Sequence, residues 1–246
     1  MQVLAIFGPT GVGKTGVAVA LAELLREQCE DPVAISCDAL QVYEGLSVLT
    51  GTATAEEQAK LEHRLVGFVP VGEKFDVGQY MPLAHAEIDA ALAAGRRPIV
   101  VGGTGLYLRA ALAELSLVKA PPESEGSELW SPDTRHPTVT VGLDMERREL
   151  YRRIDARTAA IYASGAREEV ERAETQGPSR TARVALGFDE VLAGDLERMQ
   201  QRSRNYARRQ LAWMRKVPNL HRIDRTHLSD AQTAKKVAAQ IPTARS

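Results

Sequence analysis

The stretch Gly8-Pro9-Thr10-Gly11-Val12-Gly13-Lys14-Thr15 limits what this chain can fold into more than any other. It matches G-x-x-x-x-G-K-[ST], a loop that holds phosphate only when a strand delivers the chain to it and a helix carries the chain away. Both flanks fit. Residues 3–7 form a continuous apolar run of the kind buried on both faces of a parallel sheet, and residues 17–25 are rich in Ala and Leu. Within the loop, glycines let successive backbone N–H groups curl around an anion, and the helix that follows points its positive dipole end at the same place. Lys14 adds a mobile charge, and the Thr15 hydroxyl suits Mg²⁺. A bound di- or triphosphate follows from the loop; the reaction does not.

Three further apolar runs, at 33–36, 98–101 and 138–143, alternate with helical patterns at 80–94 and 105–115. Such alternation predicts an α/β fold, a P-loop NTPase-like parallel sheet flanked by helices and joined by right-handed crossovers. Residues 120–137, with Pro121, Pro122, Pro132 and Pro137, read as a surface linker. They divide the core into a first part, 1–119, and a second, 138–246, that ends in an Arg-rich helical region. Helices are expected over 146–174 and 189–215 with a turn at Gly177-Pro178, then an edge strand at 220–223 and a last helix at 230–240. With 44% hydrophobic and 26% charged residues, collagen-like, disordered and disulfide-stapled chains are excluded. No run approaches the roughly 18 apolar residues of a membrane helix, and Met1 leads into the first strand without a basic leader. A cytoplasmic protein without a membrane partner is expected.

Chemistry-bearing residues recur where strands end. Asp38 follows the second strand in Cys37-Asp38-Ala39-Leu40-Gln41-Val42-Tyr43, and Thr104 follows the third in Gly102-Gly103-Thr104-Gly105-Leu106-Tyr107. The carboxyl ends of adjacent parallel strands open into one crevice, which brings both toward the phosphate loop. Asp38 then either holds Mg²⁺ through water or acts as a general base; as a plain turn residue it would do neither. Tyr107 and Trp213 read as packing residues. His63 and Arg64 fit a surface or structural role as well as a ligand contact, and no His or Cys spacing suggests zinc.

The net charge of −1 conceals an asymmetry: residues 1–120 hold 9 Lys/Arg against 14 Asp/Glu, and residues 121–246 hold 22 against 18. Arg202, Arg204, Arg208, Arg209, Arg215 and Lys216 follow one another with no acid between them. Arg204 and Arg208 share a helix face and have no acidic neighbour in sequence, an arrangement suited to gripping phosphate oxygens. For Arg202, Arg209, Arg215 and Lys216 a solvated face competes evenly with binding a polyanion.

Taken in order, Gly8 to Thr15, Asp38 to Tyr43, Gly102 to Tyr107 and Ser203-Arg204-Asn205-Tyr206-Ala207-Arg208-Arg209-Gln210 resemble the bacterial tRNA dimethylallyltransferase (IPP transferase) family. Gly142-Leu143-Asp144, the segment 149–154 and Leu186-Gly187-Phe188-Asp189-Glu190 add to the likeness. The resemblance implies transfer of a dimethylallyl group from dimethylallyl diphosphate to the exocyclic N6 amine of the adenosine 3′ of the anticodon in tRNA. It further implies that Gly8, Thr10, Gly11, Gly13, Lys14, Thr15 and Arg208 bind the diphosphate. Asp38 would act as general base, Thr104 would stand near the reacting centre, and Lys14, Arg204 and Mg²⁺ on Thr15 would stabilise the departing pyrophosphate. Gln41, Arg209, Arg215 and Lys216 would contact the anticodon stem-loop, with the target base splayed out of its stack.

Four departures accompany the likeness. Ala39 replaces the serine usual after the aspartate, Val184 stands where a polar or basic residue is common, and His63-Arg64 replaces a His-His pair. The helical insertion that members carry in mid-chain is missing, with the proline-rich linker in its place. Alternatives are an adenylate dimethylallyltransferase acting on free nucleotide, a P-loop small-molecule kinase, and an RNA-binding remnant without activity. The shortened middle favours the first and third; the basic segment and the retained Asp38 and Thr104 oppose them.

Overall fold

The computed structural model describes residues 1–116 and 129–242. Its centre is β1 (Val3–Phe7), whose five side chains are at most 1% exposed. Strand geometry sends alternate residues to opposite faces. Val3, Ala5 and Phe7 therefore join one core cluster and Leu4 and Ile6 the other. A strand clothed on both sides must sit inside a sheet, and β1 pairs in parallel with β4 (Arg97–Gly102) and β5 (Thr138–Asp144). β2 (Pro32–Ser36) extends the sheet beyond β4, and β3 (His63–Arg64) and β6 (His221–Asp224) form its edges. The order is β3-β2-β4-β1-β5-β6, parallel at every pairing.

The helices are α1 (Lys14–Glu27), α2 (Ser47–Thr50), α3 (Ala55–Lys60), α4 (Val77–Ala93), α5 (Gly105–Leu112), α6 (Arg147–Ala163), α7 (Ala166–Thr175), α8 (Arg180–Arg183), α9 (Phe188–Ala193), α10 (Leu196–Met214) and α11 (Asp230–Ala238). On one face α1 packs with α11; on the other α4 packs with α5. α4 begins earlier than its apolar repeat suggests because Asp76 and Gln79 form a capping box at its start. The helix expected over 146–174 is two, broken at Gly165, whose φ is 91°. The edge strand and last helix fall where expected, whereas β3 has too few residues to show any period.

The first half of the expected linker, 120–128, lies outside the described residues. Its end, 129–137, is tied down by Arg109, whose Nε donates to the Leu129 carbonyl, and by Arg135 and His136, which both bond Asp89. No helix among the described residues is long and apolar enough to cross a membrane.

Candidate active site

β1 delivers the chain into the phosphate loop, and the loop turns because Gly11 and Gly13 take left-handed conformations, φ 81° and 87°. A methyl group at Gly11 would also stand 2.7 Å from Ile154 Cγ1 of α6. The Lys14 side chain folds back over the loop, donating from Nζ to the carbonyls of Gly8 at 3.0 Å and Pro9 at 3.1 Å. Burial draws its ammonium down to about 8; the Asp38 carboxylate pulls the other way, and Arg157 lowers it further. Gly8 is buried and serves the site through that carbonyl.

The loop is keyed to α10 by one side chain. Gln210 Oε1 accepts from the Thr10 N–H at 2.8 Å, and Gln210 Nε2 donates to the Gly103 carbonyl at 2.9 Å. A single carboxamide thus joins the ends of β1 and β4. Beside it Asp38, at the end of β2, accepts the Leu40 N–H at 3.0 Å, and Thr104 Oγ1 lies 3.2 Å from the Tyr206 hydroxyl. Burial pushes the Tyr206 phenol well up, so it stays a hydrogen-bonding hydroxyl.

A cavity of about 450 Å³ opens in front of the loop. Thr10, Gly11, Gly13, Lys14, Thr15, Asp38, Gln41, Arg157 and Tyr206 line its polar part, and Leu40, Leu49, Ile154, Ile161, Leu186 and Met199 its apolar part. Phosphate donors, a carboxylate and an oily wall therefore share one space. Thr104 stands behind Tyr206 and is not among the lining residues.

Several assignments made on the sequence meet other partners here. Arg204 does have an acidic partner: its Nη1 lies 2.6 Å from Asp155 Oδ1, which reaches it from α6. Arg208 is exposed, away from the cavity, and donates to the Asn205 side chain. Arg202 is paired with the buried Glu190 at 2.6 Å. Gln41 reaches the cavity, but its amide is already engaged, accepting from Ser36 Oγ at 3.2 Å and donating to the Gly51 carbonyl at 3.3 Å. Arg209, Arg215 and Lys216 are exposed; Arg209 lies over the Tyr206 ring and Lys216 over Trp130. His63 holds the Leu61 carbonyl through Nδ1 within edge strand β3, a structural role, and Tyr107 is packed on Tyr80.

Among the residues passed over on the sequence, Arg157 stands in the cavity's polar wall beside the phosphate loop. Its guanidinium lines the cavity, donating to Thr10 Oγ1 at 3.3 Å and to the carbonyls of Thr50 at 3.2 Å and Gly51 at 3.4 Å. Burial lowers its pKa, with Asp38 opposing. A signal existed: Leu150, Ile154 and Thr158 mark the buried stripe of α6, and Arg157 falls beside it at helical spacing. Among the described residues no three His, Cys, Asp or Glu side chains converge on a point.

Comparison with known proteins agrees with this geometry. The family model described as IPP transferase matches residues 41–131 and 118–217, and one described as isopentenyl transferase matches residues 1–66. A tRNA dimethylallyltransferase of Bifidobacterium adolescentis is 31% identical, the match covering 89% of this chain and 83% of that protein. One from Anaeromyxobacter sp. (strain K) is 31% identical with both chains fully covered. That alignment runs over 312 positions against the 246 residues here, so the relative holds residues with no counterpart in this chain. Among solved structures, the tRNA isopentenylpyrophosphate transferase of Bacillus halodurans superposes with a TM-score of 0.82 at 27% identity, covering 97% of this chain and 96% of its own. The Staphylococcus epidermidis tRNA isopentenylpyrophosphate transferase, at 22% identity and a TM-score of 0.81, shares the fold. A chain with this phosphate loop, this cavity and these relatives belongs to the IPP transferase family, the family of the tRNA dimethylallyltransferases.

Proposed function

We propose that the protein transfers the dimethylallyl group of dimethylallyl diphosphate to the N6 amine of the adenosine 3′ of the anticodon in tRNA. The observation that carries this reading is the shared cavity, in which the Asp38 carboxylate faces the same space as Lys14 and Thr15, with an apolar wall beside them. The amine nitrogen attacks C1 of the allyl group, the C1–O bond breaks, and pyrophosphate departs. An adenine amine is a weak nucleophile whose proton must leave as the new C–N bond forms, and Asp38 takes that proton. Negative charge grows on the leaving group, where fixed cations lower the barrier most. Lys14 and Arg157 line that space, whereas Arg204 is not among the lining residues and is held by Asp155. Thr104, bonded to Tyr206, orients that phenol beside the reacting centre. The apolar wall shelters the allylic carbon from water.

The donor set suits Mg²⁺. The Thr15 hydroxyl supplies a hard oxygen, and the lack of a carboxylate cluster among the described residues fits an ion held chiefly by phosphate oxygens and water. Bound there through Thr15, Mg²⁺ would offset charge on the leaving pyrophosphate. The exposed Arg209, Arg215 and Lys216 on and just after α10 suit the tRNA backbone. In this reading the cytoplasm is the place of action, and the linker at 120–137 stands where relatives carry their extra residues.

The test is incubation with dimethylallyl diphosphate, Mg²⁺ and either unmodified tRNA or AMP, followed by mass analysis of the nucleosides. Prenylated adenosine is expected from tRNA. Product from AMP alone would assign the enzyme to free nucleotides, and phosphate transfer from ATP without prenylation would make it a kinase.

A further inference from the structure

The largest fully buried side chain in the described structure belongs to a residue the reaction above does not use. Arg225 lies just past the end of β6 and is 2% exposed. Its Nη1 donates to the Gly13 carbonyl at 3.0 Å, its Nη2 to Asp230 Oδ1, and its Nε has no hydrogen-bond partner. Asp230, the first residue of α11, lines the cavity and presses on the start of α1: a methyl group at Gly16 would fall 2.1 Å from Asp230 Oδ2.

Burying a guanidinium costs several kcal/mol unless its charge and donors are matched. Asp230 matches the charge, and the remaining contact goes to the carbonyl of Gly13, the left-handed residue that opens α1, which also accepts the Val17 N–H at 3.2 Å, so Arg225 adds a second, charged hold on it. Because a trans peptide unit is planar, fixing the Gly13 C=O on one edge aims the Lys14 N–H on the other. That N–H is one of the donors that α1 offers to an anion.

We propose that Arg225 is a positioning residue for the diphosphate: by holding the Gly13 carbonyl against α11 it points the Lys14 N–H at the ligand. The inference rests on reading the loop as a diphosphate cradle. It also makes the last helix part of the phosphate site, although α11 follows the loop by more than 200 residues.

The test uses the full chain and inorganic pyrophosphate, titrated calorimetrically into wild type, Arg225→Met and Arg225→Lys, with steady-state kinetics alongside. Arg225→Met is expected to weaken pyrophosphate binding about tenfold, as for loss of one charge-assisted bond. It should raise KM for dimethylallyl diphosphate by the same factor and leave KM for tRNA unchanged. Arg225→Lys, able to supply one donor but not the fork, should recover part of the affinity. A residue that merely supports the fold would lower Tm while leaving the pyrophosphate Kd and both KM values in place; that result overturns the proposal. If Arg225→Met does not fold, Asp230→Asn carries the test, since it keeps the side-chain volume and frees the guanidinium. An unchanged pyrophosphate Kd in Asp230→Asn then overturns the proposal. Pyrophosphate binding needs no prenyl transfer, so a wild type that binds pyrophosphate but fails to modify tRNA overturns the functional reading alone.

Discussion

Lys14 yields a prediction with a defined sign and size. In the unliganded protein burial holds its ammonium at about 8, against an ordinary 10.5. A diphosphate seated on the loop returns counter-charge to it, which moves the bound ammonium back up toward its ordinary value. Binding then takes up a proton between these two values, and affinity falls as pH rises through about 8. If only the protonated amine binds tightly, affinity at pH 9 is about tenfold below its neutral value, and at pH 10 about a hundredfold, each pKa unit being worth about 1.4 kcal/mol. The assay is calorimetric titration of inorganic pyrophosphate into wild type and Lys14→Met from pH 6.5 to 10. Pyrophosphate has ionisations of its own, which the ratio of the two affinities cancels. A ratio that is flat to pH 10, or that breaks near 10.5, refutes the reasoning. The same group sets a stability trend of known sign. Between about 8 and 10.5 the unfolded chain binds the proton that the native state releases, so the unliganded protein gains stability as pH rises through this window. Lys14→Met should abolish that gain and, at pH 7, melt above wild type.

Other expectations concern its neighbours. Asp38→Asn should lower kcat by about 10²–10⁴ while pyrophosphate affinity at pH 7 stays within about threefold; equal loss of both would make Asp38 a structural or metal-binding residue. Because the Asp38 carboxylate raises Lys14, the same variant should move the pH break in binding below 8, and Arg157→Met, removing a lowering influence, should move it above. Arg157→Met should also weaken pyrophosphate by about tenfold, the loss of a charged donor, and unchanged binding would remove Arg157 from the site. Arg209→Ala should weaken tRNA binding and reduce its salt slope by about one, with kcat unchanged. Arg204→Ala should instead reduce kcat more than tRNA affinity, and the reverse pattern would exchange the two roles.

The strand, loop and helix from Val3 to Glu27 were legible because each signal is local: an apolar run, glycines at fixed spacing, an Ala/Leu stripe. Asp38 was legible for a related reason, since its place after a strand sets its place in the crevice. β3 was not, because two residues carry no periodicity and His63 and Arg64 become strand only by pairing with Ala34 and Ile35. The partners of the basic segment were hidden by distance along the chain. Arg204 finds Asp155 on another helix, and no acid near it in sequence announces the pair. Arg157 and Arg225 were missed for the opposite reason: an arginine in an arginine-rich sequence looks solvated until the backbone carbonyls it holds are known.

Gln210 places a restraint on how such a chain can change over time. The nitrogen of its carboxamide answers one segment and the oxygen another, 107 and 200 positions away. A glutamate there would set an oxygen against the oxygen of Gly103, and a lysine would set a cation against the Thr10 N–H. Both partners are main-chain groups, so the restraint falls on position 210 itself, while the side chain at position 10 stays free to vary as long as the backbone keeps its course.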